Sequence, residues 1–171
     1  MSPDLKELLA LLQSNDVRFL ISGGHALAIH GHPRYTKDLD VWVASDSDNL
    51  GRLRASLRAF GFAEFADEAL DLAEGRKMLQ LGREPNRVDL LNFASGLKFD
   101  EAWPNRVQVE FEGLTLSFLG LEDLKRNKRA AGRLSDLADL ERLGETIQPE
   151  EASAAVSKAS RRRPDIKSDK E

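Results

Sequence analysis

Two aspartates at the head of an apolar strand constrain this chain more than any other feature. Residues 38–43 read Asp-Leu-Asp-Val-Trp-Val. Alternate residues of a strand point to the same side, so Asp38 and Asp40 project together while Leu39, Val41 and Val43 face the other way. Aspartate is a poor strand residue, and two carboxylates held together repel unless a cation or a proton lies between them. Asp89 repeats the oddity inside Val88-Asp89-Leu90-Leu91. If the two strands are neighbours, three carboxylates converge. A hard divalent ion, Mg²⁺ or Mn²⁺, would resolve their repulsion, and such a trio can serve two ions in phosphoryl chemistry. The chain has no cysteine, which leaves carboxylates or histidine as metal ligands.

Upstream, Ser22-Gly23-Gly24 closes a short apolar strand and opens a helix. Glycines there let backbone approach a phosphate closely and present amide donors. Each feature taken singly has an ordinary reading. Acidic pairs at strand starts are often solvated, and a Gly-Gly is often only a turn. Arg34 and Lys37 flank the acidic pair and could contact a triphosphate or be surface charge. His25, His30 and His32 are spaced by five and two, which does not put them on one helical face as a metal pair requires. Trp42 and Trp103 read as packing residues.

Leu5, Leu8, Leu9 and Leu12 recur at helical spacing over 4–12; further helices are predicted over 25–30, 47–60, 66–73, 121–130 and 135–143. Strands are predicted over 17–21, 39–43, 77–81 and 87–92, with a hairpin of 107–111 and 114–118 around Glu112-Gly113. This order suggests an α/β or α+β domain, a mixed sheet flanked by helices, with two C-terminal helices. The expected division is a domain over 1–147 (a sheet-containing core to 120, helices over 121–147) followed by a disordered tail over 148–171, small and charged without apolar periodicity.

The net charge is −4, and residues 151–171 carry six basic against four acidic side chains, which leaves the preceding body at −6. Such a body is not a general nucleic-acid binder. The local exception is 125–133, with Lys125, Arg126, Lys128, Arg129 and Arg133 and no acid; it reads either as a solvated helix face or as a phosphate-binding one. The run Arg161-Arg162-Arg163 falls in the tail. No apolar run is long enough to span a membrane, and the leucine–charge alternation of the first twelve residues lacks a signal-peptide block. A cytoplasmic location is the expectation.

The combination of Gly-Gly, a spacer over 25–37, Asp-x-Asp within apolar residues, and a third acid on a later strand resembles the nucleotidyltransferase superfamily. More narrowly, GGHALAIHGHPRYTKDLDVWV, PNRVDLL and LEDLKRNKRAAGRLSDLADLERL look like small bacterial proteins related to the AbiEii-type toxin nucleotidyltransferases, over about residues 17–145. The resemblance implies a nucleotidyltransferase-fold mixed sheet and Mg²⁺- or Mn²⁺-dependent transfer of a nucleoside monophosphate from an NTP, ATP among the candidates, to a hydroxyl. It implies that Asp38 and Asp40 bind metal, that Asp89 completes the site and helps deprotonate the acceptor, and that Gly23 and Gly24, with Ser22, hold phosphates. Lys128 and Asp136, with Arg133 near, match the later positions that such toxins use around the nucleotide, which puts Lys128 in the catalytic set as well; Lys125 is a competing register, and Gly120 stands where a capping Ser is expected. The acceptor would be tRNA or a protein, and a toxin would have an antitoxin partner. The alternative is a non-catalytic nucleotide-binding or antitoxin-like module of the same fold.

Overall fold

In the computed structural model, residues 2–161 are described. The chain opens with α1 (Pro3–Ser14), whose start is fixed by the Ser2 hydroxyl accepting from Leu5 N at 3.3 Å and by Pro3 in the first turn. Leu8, Leu9 and Leu12 form its buried face, as the leucine spacing requires. Then follow β1 (Phe19–Ile21), α2 (Gly23–Ile29), β2 (Asp38–Val43) and α3 (Ser47–Ala59). The Asp46 carboxylate caps α3 by accepting from Asn49 N at 2.9 Å. A single turn, α4 (Ala63–Ala66), continues into a 3₁₀ segment over 68–73, where one short helix over 66–73 is expected from sequence. β3 (Met78–Leu81) and β4 (Arg87–Leu91) precede a short α5 (Phe99–Ala102), which the sequence reading left out. β5 (Val107–Phe111) and β6 (Leu114–Phe118) make the expected hairpin, and the C-terminal part holds α6 (Leu121–Ala131), α7 (Leu134–Arg142) and α8 (Pro149–Ser160).

The six strands form one mixed sheet in the order β3-β4-β2-β1-β6-β5. β2 runs parallel to β4 and antiparallel to β1, and β1 runs parallel to β6. The β2–β4 register pairs Asp38 with Arg87 and Asp40 with Asp89. Leu39, Val41 and Val43 are buried and belong to the same core as the leucines of α1 and of α3 (Leu50, Leu53, Leu57). One sheet face is thereby committed to the core, and the acids are carried on the other. Trp42 is buried edge-on to Phe99, and Trp103 stacks on Phe99; both tryptophans pack.

The expectation of a structureless tail from residue 148 does not hold for Pro149–Ser160. That segment is helical because Pro149 starts it, Glu151 reaches back to Gln148 N at 2.8 Å, and Ala155 packs on Leu137 and Leu140 with Ile147 alongside. Arg161 follows that helix; the remainder of the expected tail, residues 162–171 with Arg162 and Arg163, lies outside the described residues. Among those described, no helix is long and apolar enough to cross a membrane.

Candidate active site

A cleft of about 570 Å³ opens on the acidic face of the sheet. Its floor is β2 and β4. Paired positions on adjacent strands lie about 4.8 Å apart in the hydrogen-bonding direction, so the register sets Asp40 directly beside Asp89. α2 forms one wall and α6 and α7 the other. Ser22, Gly23 and Gly24 line the cleft together with Asp38, Asp40 and Asp89, and across it stand Arg34, Lys128, Arg133 and Asp136. Lys37 is not among the lining residues; it is exposed and pairs with Glu84 at 3.3 Å.

The glycines are required by the approach of α2 to β2. Gly23 has φ +59°, in the left-handed region, and a Cβ there would collide with the Asp40 carboxylate. A Cβ on Gly24 would come within 2.9 Å of Thr36 Cβ. Thr36 in turn donates its hydroxyl to Asp38 Oδ1 at 3.0 Å. Burial, followed by the carboxylates of Asp38 and then Asp89, pushes Asp40 up to about 6, against the opposing pull of Arg133 and Lys128. Burial also raises Asp89, partly offset by Arg87. Asp89 Oδ1 is buried without a hydrogen-bond partner among the described residues.

Arg87 was not singled out from sequence. Its Nη2 donates to Asp38 Oδ2 and, at 3.1 Å, to Asp89 Oδ2. Among the described residues, no three acidic or histidine side chains are grouped closely enough to hold an ion as they stand. The donor set suits a hard divalent cation, since all three groups are carboxylates on one face, Asp89 keeps an unpartnered oxygen, and Asp40 sits under a glycine cradle. Such a cation would have to replace the guanidinium at Asp38 and Asp89.

On the helical wall the basic segment is largely spent on internal pairs. Lys128 is 3% exposed, with Nζ 2.7 Å from Asp139 Oδ2 and 3.7 Å from Asp136 Oδ1. Asp139 also accepts a two-pronged contact from Arg34 at 2.8 and 2.9 Å and one from a second arginine, Arg142, at 3.1 Å. Asp136 accepts from Arg133 N at 3.1 Å and pairs with its guanidinium at 2.6 Å, fixing the start of α7. Lys125 instead bridges Glu122 and Glu145 and does not line the cleft. Of the two lysine registers, Lys128 is the one that faces the acids. Gly120 begins α6 without a side-chain cap, in close contact with the backbone of Asn105, where any Cβ would collide.

The model of a family described as nucleotidyltransferase of unknown function (DUF6036) matches residues 4–150. The chain belongs to that family. No curated protein matches it. Among solved structures, an antigenic nucleotidyltransferase-like protein from Paracoccidioides brasiliensis is 20% identical, with a TM-score of 0.50 over 96% of this chain and 91% of that one. ANT(2″)-Ia, solved in complex with adenylyl-2″-tobramycin, is 12% identical, with a TM-score of 0.51 over 92% of this chain and 95% of that one. At these identities the likeness speaks for the fold: this family member has a nucleotidyltransferase fold.

The cleft and the ion-pair network behind it hold residues that sequence reasoning missed. Asp139 carried a signal, an acid three residues after Asp136 among the buried leucines Leu137 and Leu140. Arg87 carried one too, two residues before Asp89 and so on the same strand face. Arg76, whose guanidinium lies 4.2 Å over the Phe93 ring, and Lys158 of α8 also line the cleft, and their sequence neighbourhoods give no hint of it. His25 lies beside Asp38 and is lowered by burial. His30 instead meets the Leu119 carbonyl at 2.9 Å.

Proposed function

We propose that this chain moves a nucleoside monophosphate from an NTP to a hydroxyl of an RNA or protein acceptor, using Mg²⁺ or Mn²⁺ held by Asp38, Asp40 and Asp89. The observation that carries the reading is the β2–β4 register, which sets Asp40 against Asp89 directly under Gly23. A divalent ion there would neutralise both carboxylate and phosphate oxygens as charge shifts onto the leaving group. Gly23 and Gly24 present backbone with no side chain in the way, so a phosphate can come close. Arg34, Lys128 and Arg133 give the opposite wall the positive charge a triphosphate needs. Asp89 Oδ1, buried and unpartnered, suits the role of base: it takes the hydroxyl proton as the acceptor oxygen bonds to the α-phosphorus. The bond from that phosphorus to the bridging oxygen breaks, and pyrophosphate leaves.

The Lys128–Asp136 block supports a place near the AbiEii-type toxins. On that reading the acceptor is tRNA or a protein, and an antitoxin partner restrains the chain. A second reading, a nucleotide-binding module without catalysis, is favoured by the Arg87 guanidinium standing between Asp38 and Asp89.

One experiment separates the two. The protein is incubated with each α-labelled NTP, Mg²⁺ or Mn²⁺, and total tRNA or cell lysate, beside the Asp38→Ala/Asp40→Ala double variant. Transfer of label by the wild type, reduced at least ~100-fold in the variant, is the expected result, and nuclease or protease sensitivity of the labelled product names the acceptor. Nucleotide binding without transfer would favour the second reading. Absence of both binding and transfer would sink both.

A further inference from the structure

Arg87 does more than balance charge in passing. It stands opposite Asp38 in the β2–β4 register and two residues before Asp89 on one strand face. Its Nη2 reaches both carboxylates, while Nη1 lies 3.6 Å from Glu84 Oε1 at the rim. The side chain is 24% exposed, and its Nε is buried without a partner among the described residues. Glu84 is also held by Lys37, which leaves it a weak alternative anchor. The guanidinium therefore occupies one oxygen on each of two carboxylates, Asp38 Oδ2 and Asp89 Oδ2, that a divalent cation would draw on. Two cations on one pair of oxygens repel, so they compete.

We propose, resting on the metal-dependent reading above, that Arg87 couples divalent-cation binding to polyphosphate binding. In the absence of ligand it neutralises Asp38 and Asp89. A bare divalent cation must evict it and leave the guanidinium with little but Glu84. A cation that arrives with a polyphosphate brings its own anion, and the freed guanidinium binds a phosphate oxygen in the fork geometry suited to it. Metal and polyphosphate then tighten one another reciprocally, and Arg87 carries part of that coupling. The site thereby discriminates against free divalent cations in favour of the metal–triphosphate complex.

The test uses the full chain and two binding measurements that do not depend on turnover. Free Mn²⁺ is titrated by electron paramagnetic resonance, and the Mn²⁺ complex of inorganic triphosphate by calorimetry. Wild type is compared with Arg87→Ala, with Arg87→Gln, which keeps much of the side-chain volume, and with Arg87→Lys, which keeps the charge. Folding of each is checked by circular dichroism. The expected result is Mn²⁺ affinity about tenfold tighter in Arg87→Ala and Arg87→Gln, with the Mn²⁺–triphosphate complex bound about tenfold more weakly. Arg87→Lys should bind free Mn²⁺ as weakly as wild type. Unchanged or weaker Mn²⁺ binding in the folded Ala or Gln variant would overturn the coupling while leaving the metal site intact. If neither wild type nor any variant binds Mn²⁺, the metal reading falls and the coupling with it.

Discussion

On the sheet side of the cleft, Asp38 and Asp89 share the one guanidinium of Arg87, with Asp40 beside Asp89; on the helix side, Asp136 and Asp139 are surrounded by Lys128, Arg34, Arg133 and Arg142. The two regions face each other and treat the same side chain in opposite ways. Asp40 is pushed up to about 6 by burial and by its acidic neighbours. Asp139, also buried, is held below its ordinary value because its contacts with Arg34 and Lys128 outweigh the burial. The first region is short of positive charge and suits a ligand that brings some. In the second each acid is paired, and the four cations still outnumber the two acids: the network ties the loop carrying Arg34 to α7, fixes where Lys128 stands and leaves the wall positive. A buried acid is thus informative only together with its cations.

The widest gap between the regions should appear on removing one carboxylate from each. Asp139→Ala leaves the Lys128 ammonium buried with only the 3.7 Å contact to Asp136. Breaking a buried pair by deleting one partner costs about 3 kcal/mol, so urea denaturation should show a loss of that size. The pH dependence has a definite sign. With its folded-state value lowered from the ordinary 3.8, Asp139 contributes stability above about pH 4, and that contribution is lost as the pH falls through the folded value. The stability difference between wild type and Asp139→Asn should therefore be constant from pH 7 to 5 and shrink below 4. A difference that grows with acid would mean that the helix-side network is not the satisfied region it is taken to be.

Asp40→Asn tests the other half with a smaller change of opposite sign. It removes a buried charge that two acids oppose, so the melt should rise, by roughly 1 kcal/mol of stability. Label transfer should fall at least ~100-fold. Stability and activity moving in opposite directions is the signature of a region built for a ligand. If stability falls, Asp40 is a structural residue, and the contrast drawn here between the two acid groups collapses.

Much of this contrast is legible in the amino-acid sequence alone. Helix and strand periodicity placed α1, α3, β2, β4 and the β5–β6 hairpin within a residue or two, because each carries its own pattern. The three aspartates were legible for the same reason: an acid inside an apolar strand violates local preference wherever it occurs. The cations were not, since a pair such as Arg34 with Asp139 joins residues 105 apart in sequence. No local rule distinguishes a basic residue facing solvent from one spent on a distant carboxylate. Lys37 could be read as a phosphate contact or as surface charge, and it is exposed and pairs with Glu84. The start of α2 was placed at His25, two residues late, because glycines argue against helix; here they begin one, and the closeness of Asp40 is what demands them.

α8 gives the finest distinction between the two sides. Its apolar content is mostly alanine, and only Ala155 is buried, so composition alone resembled a solvated tail. What holds it is non-local: Arg129 pairs with Glu151 at 3.1 Å, and Ala155 packs on Leu137 and Leu140, while the exposed Lys158 ammonium also meets the Ala131 carbonyl near the end of α6. Lys158 lines the cleft beyond Lys128 and Arg133, yet it is exposed and belongs to no buried network. If the helix side is scaffold at its centre and ligand-facing at its edge, Lys158→Ala should leave the melting temperature within about 2 °C of wild type. The KM for the transferred nucleotide should rise about threefold with kcat unchanged, the pattern of a contact made equally in ground and transition states. A larger loss of stability would make α8 part of the scaffold, and an unchanged KM would confine the ligand-facing wall to Arg34, Lys128 and Arg133.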